Sequence, residues 1–268
     1  MSEKKKQQLG DGDYDVIVVD KWECPKDNGV AILTMPNVPK PLHLLAPRTI
    51  LGNKTWNSMR HYCYNQAHDH CEICGRDCSK ETNGKRIAHA HELYSYDYAK
   101  QEAVFERCIC LCGWPCHTGC IHTGRALTLY KQGNPLFTKE KLLKAAEHCF
   151  TIISSFNETH PEEEPLRVFA VWLDYAKLPE LKDEMNALID KYHIKFYTIS
   201  EKWYKKKYWK NWRLKIGNKW HSTRFENEDD WREKVEEHAK QNPYDDHNVV
   251  NHFAGGIYDE IDKILKGE

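Results

Sequence analysis

The sequence predicts an α+β fold, with an N-terminal β-element, a central zinc-binding module and a C-terminal α/β region following one another along 268 residues. Three observations predict it. Short β-branched runs open the chain, cysteine and histidine crowd the segment from Cys71 to His122, and strand-like and helix-like segments alternate from Leu166 onward. Composition shifts at the proline-rich segment 36–47 and at Asn157–Pro165 set divisions at residues 1–44, 45–157 and 158–268.

Asp15–Asp20 and Val30–Thr34 are β-branched runs separated by Pro25, Asn28 and Gly29, so they are expected as two strands of a hairpin. Gly52-Asn53 marks a helix start with Asn53 as cap, and Trp56, Met59, Arg60, Cys63 and Tyr64 recur at helical spacing up to Cys71. Beyond His122, a helix is expected over 124–132. A strongly amphipathic helix follows Thr138, running from Lys139 through Phe150 toward Phe156. Leu166–Leu173, apolar apart from Arg167, is expected as a buried strand. Pro179–His193 is expected as a helix with proline in its first turn, and Ile194–Ile199 as another strand. Gly217-Asn218 between Trp209–Ile216 and Lys219–Phe225 is a two-residue hairpin signal, and helices over Asp230–Lys240 and Ile257–Lys266 complete the chain.

With 29% charged, 40% hydrophobic and 12% aromatic residues, the chain has the make-up of a folded globular protein rather than a disordered one. A formal net charge of -1 gives no overall pull toward nucleic acid or lipid, so any such footprint must be local. The charged start Met1–Gln8 lacks an apolar leader core and no run of eighteen apolar residues occurs, so neither secretion nor membrane spanning is expected and a cytoplasmic setting is.

Eleven cysteines in such a chain point to metal binding, because reducing compartments do not sustain disulfides, and nine of the eleven lie between Cys63 and Cys120. Cys71-Glu-Ile-Cys74-Gly75 has the form of a zinc knuckle: two thiolates from one tight turn, with glycine where the backbone must bend back. For the second ligand pair the sequence offers Cys108, Cys110, Cys112, Cys116 and Cys120, of which Cys112 and Cys116, before and at the start of a helix, are the preferred choice.

The order Cys71-x-x-Cys74-Gly75, Ala90-His91-Glu92, Leu111-Cys112 with Cys116-His117, and finally His122 resembles the HNH nuclease family, whose ββα-metal core sets zinc knuckles around a hairpin and a helix. It is most similar to a bacterial and phage branch in which Pro47-Arg48-Thr49-Ile50-Leu51-Gly52 and a tryptophan-bearing helix precede the first knuckle. In that branch His91-Glu92-Leu-Tyr94-Ser-Tyr96-Asp97 is matched before the second knuckle and His122-x-Gly-Arg-Ala126 after it. The resemblance spans residues 45–155.

The resemblance implies structural zinc on the four cysteines, His91 as general base, and His117 and His122 holding a catalytic magnesium or manganese ion at a nucleic-acid phosphodiester, DNA or RNA. It implies a bacterial or phage-infected host cell. No asparagine stands between Glu92 and Cys112, where Gln101 is the available amide, and Ala90 cannot bind metal, which leaves His89 or Glu92 to contribute. The alternatives are a non-catalytic zinc-stabilised nucleic-acid-binding protein and a phage-type protein-interaction or inhibitor factor.

From Lys202 to Lys219 the chain carries seven lysines, one arginine and no acid, interleaved with tryptophan and tyrosine. Lysines neutralise phosphates and aromatic faces stack on bases, so Lys205, Lys206, Lys207, Trp209, Lys210 and Arg213 are nucleic-acid-binding candidates. The competing expectation is a hairpin whose tryptophans pack inward while its lysines stay solvated.

Overall fold

The computed structural model describes residues 14–26, 29–79, 81–82 and 85–241. The elements that organise it are β1 (Val16–Val19), α1 (Pro47–Gln66), β2 (Ala88–Asp97), β3 (Glu102–Cys112), a π-helical segment (Gly113–Ile121), α2 (Thr123–Lys131), α3 (Lys139–Thr159), β4 (Val168–Phe169), α4 (Pro179–Lys191), β5 (Phe196–Ile199), β6 (Arg213–Ile216), β7 (Lys219–Ser222) and α5 (Glu228–Gln241). The chain is thus mixed α+β. Among the described residues no helix is long and apolar enough to cross a membrane. The expected helix over Ile257–Lys266 lies outside the described residues.

Contacts divide the chain into two compact units, one of residues 1–37, 72–75 and 114–200, the other of residues 38–71, 76–113 and 201–268. In the first, three parallel strands run in the order β1-β5-β4, with Val16 opposite Phe196 and Val19 opposite Ile199. β1 therefore finds its partner some 180 residues along the chain, and not in Val30–Thr34. That segment is a 3₁₀ helix with Ala31, Ile32, Leu33 and Thr34 all buried. The expected hairpin fails because a continuous apolar run marks burial without distinguishing a strand from a buried helical turn. The Thr34 hydroxyl donates to Ala31, and its carbonyl accepts from the Tyr197 hydroxyl, which fastens the turn to β5. For the same reason the strand expected over Leu166–Leu173 shrinks to Val168–Phe169, followed by a 3₁₀ turn at Ala170–Trp172 and a short helix at Leu173–Ala176.

α3 runs as expected. Thr138 caps it, its side chain accepting from the Lys141 amide at 3.3 Å, and the stripe Leu142, Ala145, Ala146, Cys149, Phe150 and Ile153 is buried. It packs against α4, whose own stripe is Leu181, Met185 and Ile189.

In the second unit β2 and β3 form a long antiparallel hairpin from Ala88 opposite Cys112 to Asp97 opposite Glu102, with a bulge at Leu93/Tyr94. β3 pairs in parallel with β6, and β6 pairs antiparallel with β7 around Gly217-Asn218, where Gly217 takes a φ of 56°. α1 packs across the hairpin and buries Trp56, Cys63 and Tyr64. Proline 47 opens α1, Gly52 (φ 79°, ψ 161°) interrupts it, and the helix resumes at Asn53, where the sequence placed its start. Tyr94, Tyr96 and Tyr98 pack in series at 5.9 and 5.8 Å, and Trp212 meets Tyr98 edge-on at 5.6 Å, so the aromatic positions along β2 form core.

Candidate metal centres

The first knuckle is a miniature hairpin. His70 bridges to Asp77, the Cys71 amide donates to the Arg76 carbonyl at 2.8 Å, the Cys78 amide donates to the Asp69 carbonyl at 2.7 Å, and Gly75 makes the turn at φ 70°. The positive φ at Gly75 is what the sequence required of it. Gly29 lies so close to the Glu72 carbonyl that a Cβ there has no room, so that backbone also shapes the knuckle.

Cys112 ends β3 and Cys116 lies within the π-helical segment, after the cis Trp114-Pro115 bond and a non-helical Trp114. One sulfur from each of Cys71, Cys74, Cys112 and Cys116 lies within 4.8 Å of all the others, and Cys71, Cys112 and Cys116 are buried. Four sulfurs gathered this closely could hold a metal ion, and an all-thiolate set suits zinc.

The other cysteines in the cluster have different occupations. Burial, and after it the Glu92 carboxylate facing it across the hairpin, pushes the Cys108 thiol up to about 12. Cys110 is buried beside Tyr64 of α1, and the Cys120 thiol donates to the Ala145 carbonyl at 3.5 Å. No disulfide joins any of the eleven cysteines, all of which lie among the described residues.

His91 sits on β2, 7% exposed and opposite Ile109. His117 lies in the π-helical segment and His122 immediately precedes α2. A ring nitrogen from each of His91, His117 and His122 falls within 4.8 Å of the other two. The rings of His117 and His122 meet edge-on with centroids 4.6 Å apart. The His122 amide donates to the His117 carbonyl at 3.1 Å, a bond spanning five residues, so the long step between these histidines is taken up by a π turn. Below them Thr123 is buried, its hydroxyl donating to the Cys120 carbonyl and its carbonyl accepting from the Tyr175 hydroxyl at 3.0 Å.

Two expectations about this centre need correction. Glu92 does not join the histidines: strand alternation turns it to the face opposite His91, where it stands across from Cys108. Gln101 occupies the tip of the β2–β3 hairpin at φ 56°, its amide donating to Tyr98 and Ala99, six residues beyond His91 at the Asp97 end. At about 3.3 Å per strand residue that is roughly 20 Å from His91, so it cannot stand in for the missing asparagine.

The basic aromatic stretch also divides. Trp209 and Trp212 are 1% and 0% exposed, so Trp209 has no face for a base. Lys210 pairs with Glu226, and Arg213 pairs with Glu102 through its Nε at 3.1 Å. Lys205 and Lys207 are exposed, while of Lys206 only its place at the start of a short helix is described.

Two residues that the sequence reading passed over stand beside these groups. His148 of α3 places Nε2 3.4 Å from Cys116 Sγ, and its signal was a histidine bordering the apolar stripe of α3. Trp220 of β7 is 41% exposed with the Arg213 guanidinium 4.4 Å from its ring centroid. Counting forward from the Gly217-Asn218 turn would have set it on the strand face away from Leu214 and Ile216.

Compared with protein-family models, with curated proteins and with solved structures, the chain matches none.

Proposed function

We propose that this chain is an HNH-like, metal-dependent nuclease that hydrolyses nucleic-acid phosphodiester bonds, with zinc held structurally by Cys71, Cys74, Cys112 and Cys116. The observation that carries the reading is the convergence of His91, His117 and His122 from a strand-strand-helix sequence of elements, with ligand atoms within 4.8 Å. In this reading the thiolate group ties Cys112, at the end of β3, to the Cys71 knuckle, and the histidines perform the chemistry.

His117 and His122 would hold the catalytic divalent ion, magnesium or manganese, of which paired imidazoles suit manganese better. When bound, such an ion supplies positive charge against the phosphate oxygens as negative charge develops on them. His91 takes the proton from the attacking water at its ring nitrogen, a task suited to a group that exchanges protons near neutral pH. Its place on a paired strand opposite Ile109 fixes the backbone from which the ring projects. The basic segment 202–224 draws the polyanion toward the chain.

The direct test is a nicking assay on supercoiled plasmid and a shortening assay on labelled RNA, with manganese, magnesium or zinc added in turn. Cleavage of at least one substrate with at least one ion, stopped by chelation, is the expected result. No cleavage of either substrate with any ion would overturn the reading.

A further inference from the structure

The β6–β7 hairpin has two unlike faces. Leu214 and Ile216 point inward at 2% and 7% exposure, on the same strand parity as the buried Trp212, whose ring packs on Tyr98. The outer face carries Arg213 and Lys215 from β6 and, directly opposite Lys215, Trp220 from β7. With Val38 and Tyr62, Trp220 is one of three large apolar side chains left exposed among the described residues.

We propose that this outer face is a stacking platform for single-stranded nucleic acid, with the Trp220 indole and the Arg213 guanidinium beside it receiving a base and Lys215 meeting a flanking phosphate. The proposal rests on the nucleic-acid reading above and names its substrate class. It moves base recognition from Trp209, which is buried, to Trp220.

Four observations converge on it. The Arg213 guanidinium lies over the Trp220 ring at 4.4 Å from its centroid and the Lys215 ammonium at 5.9 Å, so a flat guanidinium–indole pair with a second cation beside it is the surface a base meets. Arg213 is fixed in place by Glu102, which stands beside it in the parallel β3–β6 pair. The hairpin is backed by a packed aromatic core, which presents the indole at low entropic cost. Residues 202–224 carry nine basic side chains and no acidic one, so an excess of positive charge remains after Glu102 and Glu226 pair with Arg213 and Lys210.

A flat aromatic ring beside cations suits an unstacked base better than a duplex, whose bases are already stacked on one another, and DNA and RNA strands share that chemistry. A second copy of this chain is a poor occupant, because its own Arg213 and Lys215 would approach like charges on this face.

The test is fluorescence anisotropy of the full zinc-loaded chain titrated onto labelled oligo-dT, oligo-U and a matched DNA duplex, with no other metal added. Trp220→Ala should weaken binding to one or both single strands by about 10-fold or more, and Trp220→Phe should recover most of that loss. Lys215→Gln should reduce the slope of log affinity against log salt by about one phosphate contact. The dT and U arms identify which strand is bound. Single-strand affinity unchanged in Trp220→Ala, binding confined to the duplex, or self-association of the wild type that Trp220→Ala abolishes would each overturn the platform. Cleavage is read separately: binding through Trp220 without hydrolysis removes the nuclease reading and leaves the platform, whereas hydrolysis indifferent to Trp220 does the reverse.

Discussion

The His122 amide reaches back five residues to the His117 carbonyl at 3.1 Å, and that bond places the two imidazoles edge to face. On an ordinary α-helix, residues five apart point about 140° away from each other. The π turn removes that divergence, so the step from His117 to His122 yields two converging ligands. His117→Ala and His122→Ala are each expected to remove the second metal equivalent while the first stays bound, as read by elemental analysis after gel filtration in manganese. Loss of all metal together would show that the two groups are not separate centres.

The four thiolates make a parallel expectation. Cys71→Ser and Cys112→Ser should each drop bound zinc below about one equivalent and lower the melting temperature, because ligand loss costs binding energy that is also folding energy. Cys108→Ser and Cys120→Ser should retain the zinc, since one sulfur is a thiol facing Glu92 and the other donates to Ala145. Zinc lost from Cys120→Ser and kept in Cys112→Ser would reverse the ligand assignment.

His148 stands 3.4 Å from Cys116 Sγ, close enough for its ring N–H to donate to the thiolate and hold it in place. Partners of this kind commonly change metal affinity by about 10- to 100-fold. His148→Ala should therefore release zinc to a colorimetric chelator at correspondingly lower chelator concentration, with secondary structure unchanged by circular dichroism. Equal chelator competition in the two proteins would confine His148 to packing.

Cys108 provides a pH test. Burial first, and Glu92 second, raise its thiol from 9.0 to about 12. A thiol whose folded pKa is raised stabilises the fold fully below its unfolded pKa, and that contribution is lost as pH rises through the folded value. Stability should thus fall between pH 9 and pH 12, and Cys108→Ala should flatten that fall in melting temperature measured across the range. In the native protein at pH 8 about one part in 10⁴ of Cys108 is thiolate, so iodoacetamide should leave it unmodified long after exposed model thiols have reacted.

Local chemistry was legible in the sequence wherever spacing and turn residues fix the backbone. Cys71-x-x-Cys74-Gly75 announced its turn, Thr138 its cap, and Gly217-Asn218 its hairpin. What required the fold was anything decided far along the chain. β1 pairs with Phe196–Ile199, and no local pattern can name a partner that distant. Val30–Thr34 and Leu166–Leu173 are apolar except at Thr34 and Arg167, which encodes burial but not period, and both became largely helical turns. Among the tryptophans, composition marked a basic aromatic segment, but only strand register separates Trp212, packed on Tyr98, from Trp220, bordered by Arg213. The histidine group was visible as residues and not as geometry, because Glu92 and Gln101 leave it through strand parity and hairpin length.

The most direct measurement is the single-turnover cleavage rate of the wild type beside His91→Ala, each with its bound metal counted. As general base, His91 should be worth about 10² to 10⁴ in rate, so His91→Ala should cleave at least about 100-fold more slowly while keeping the same metal content. Cleavage undiminished in His91→Ala, or a loss of activity that follows only the loss of metal, would contradict the assignment of His91 as the base.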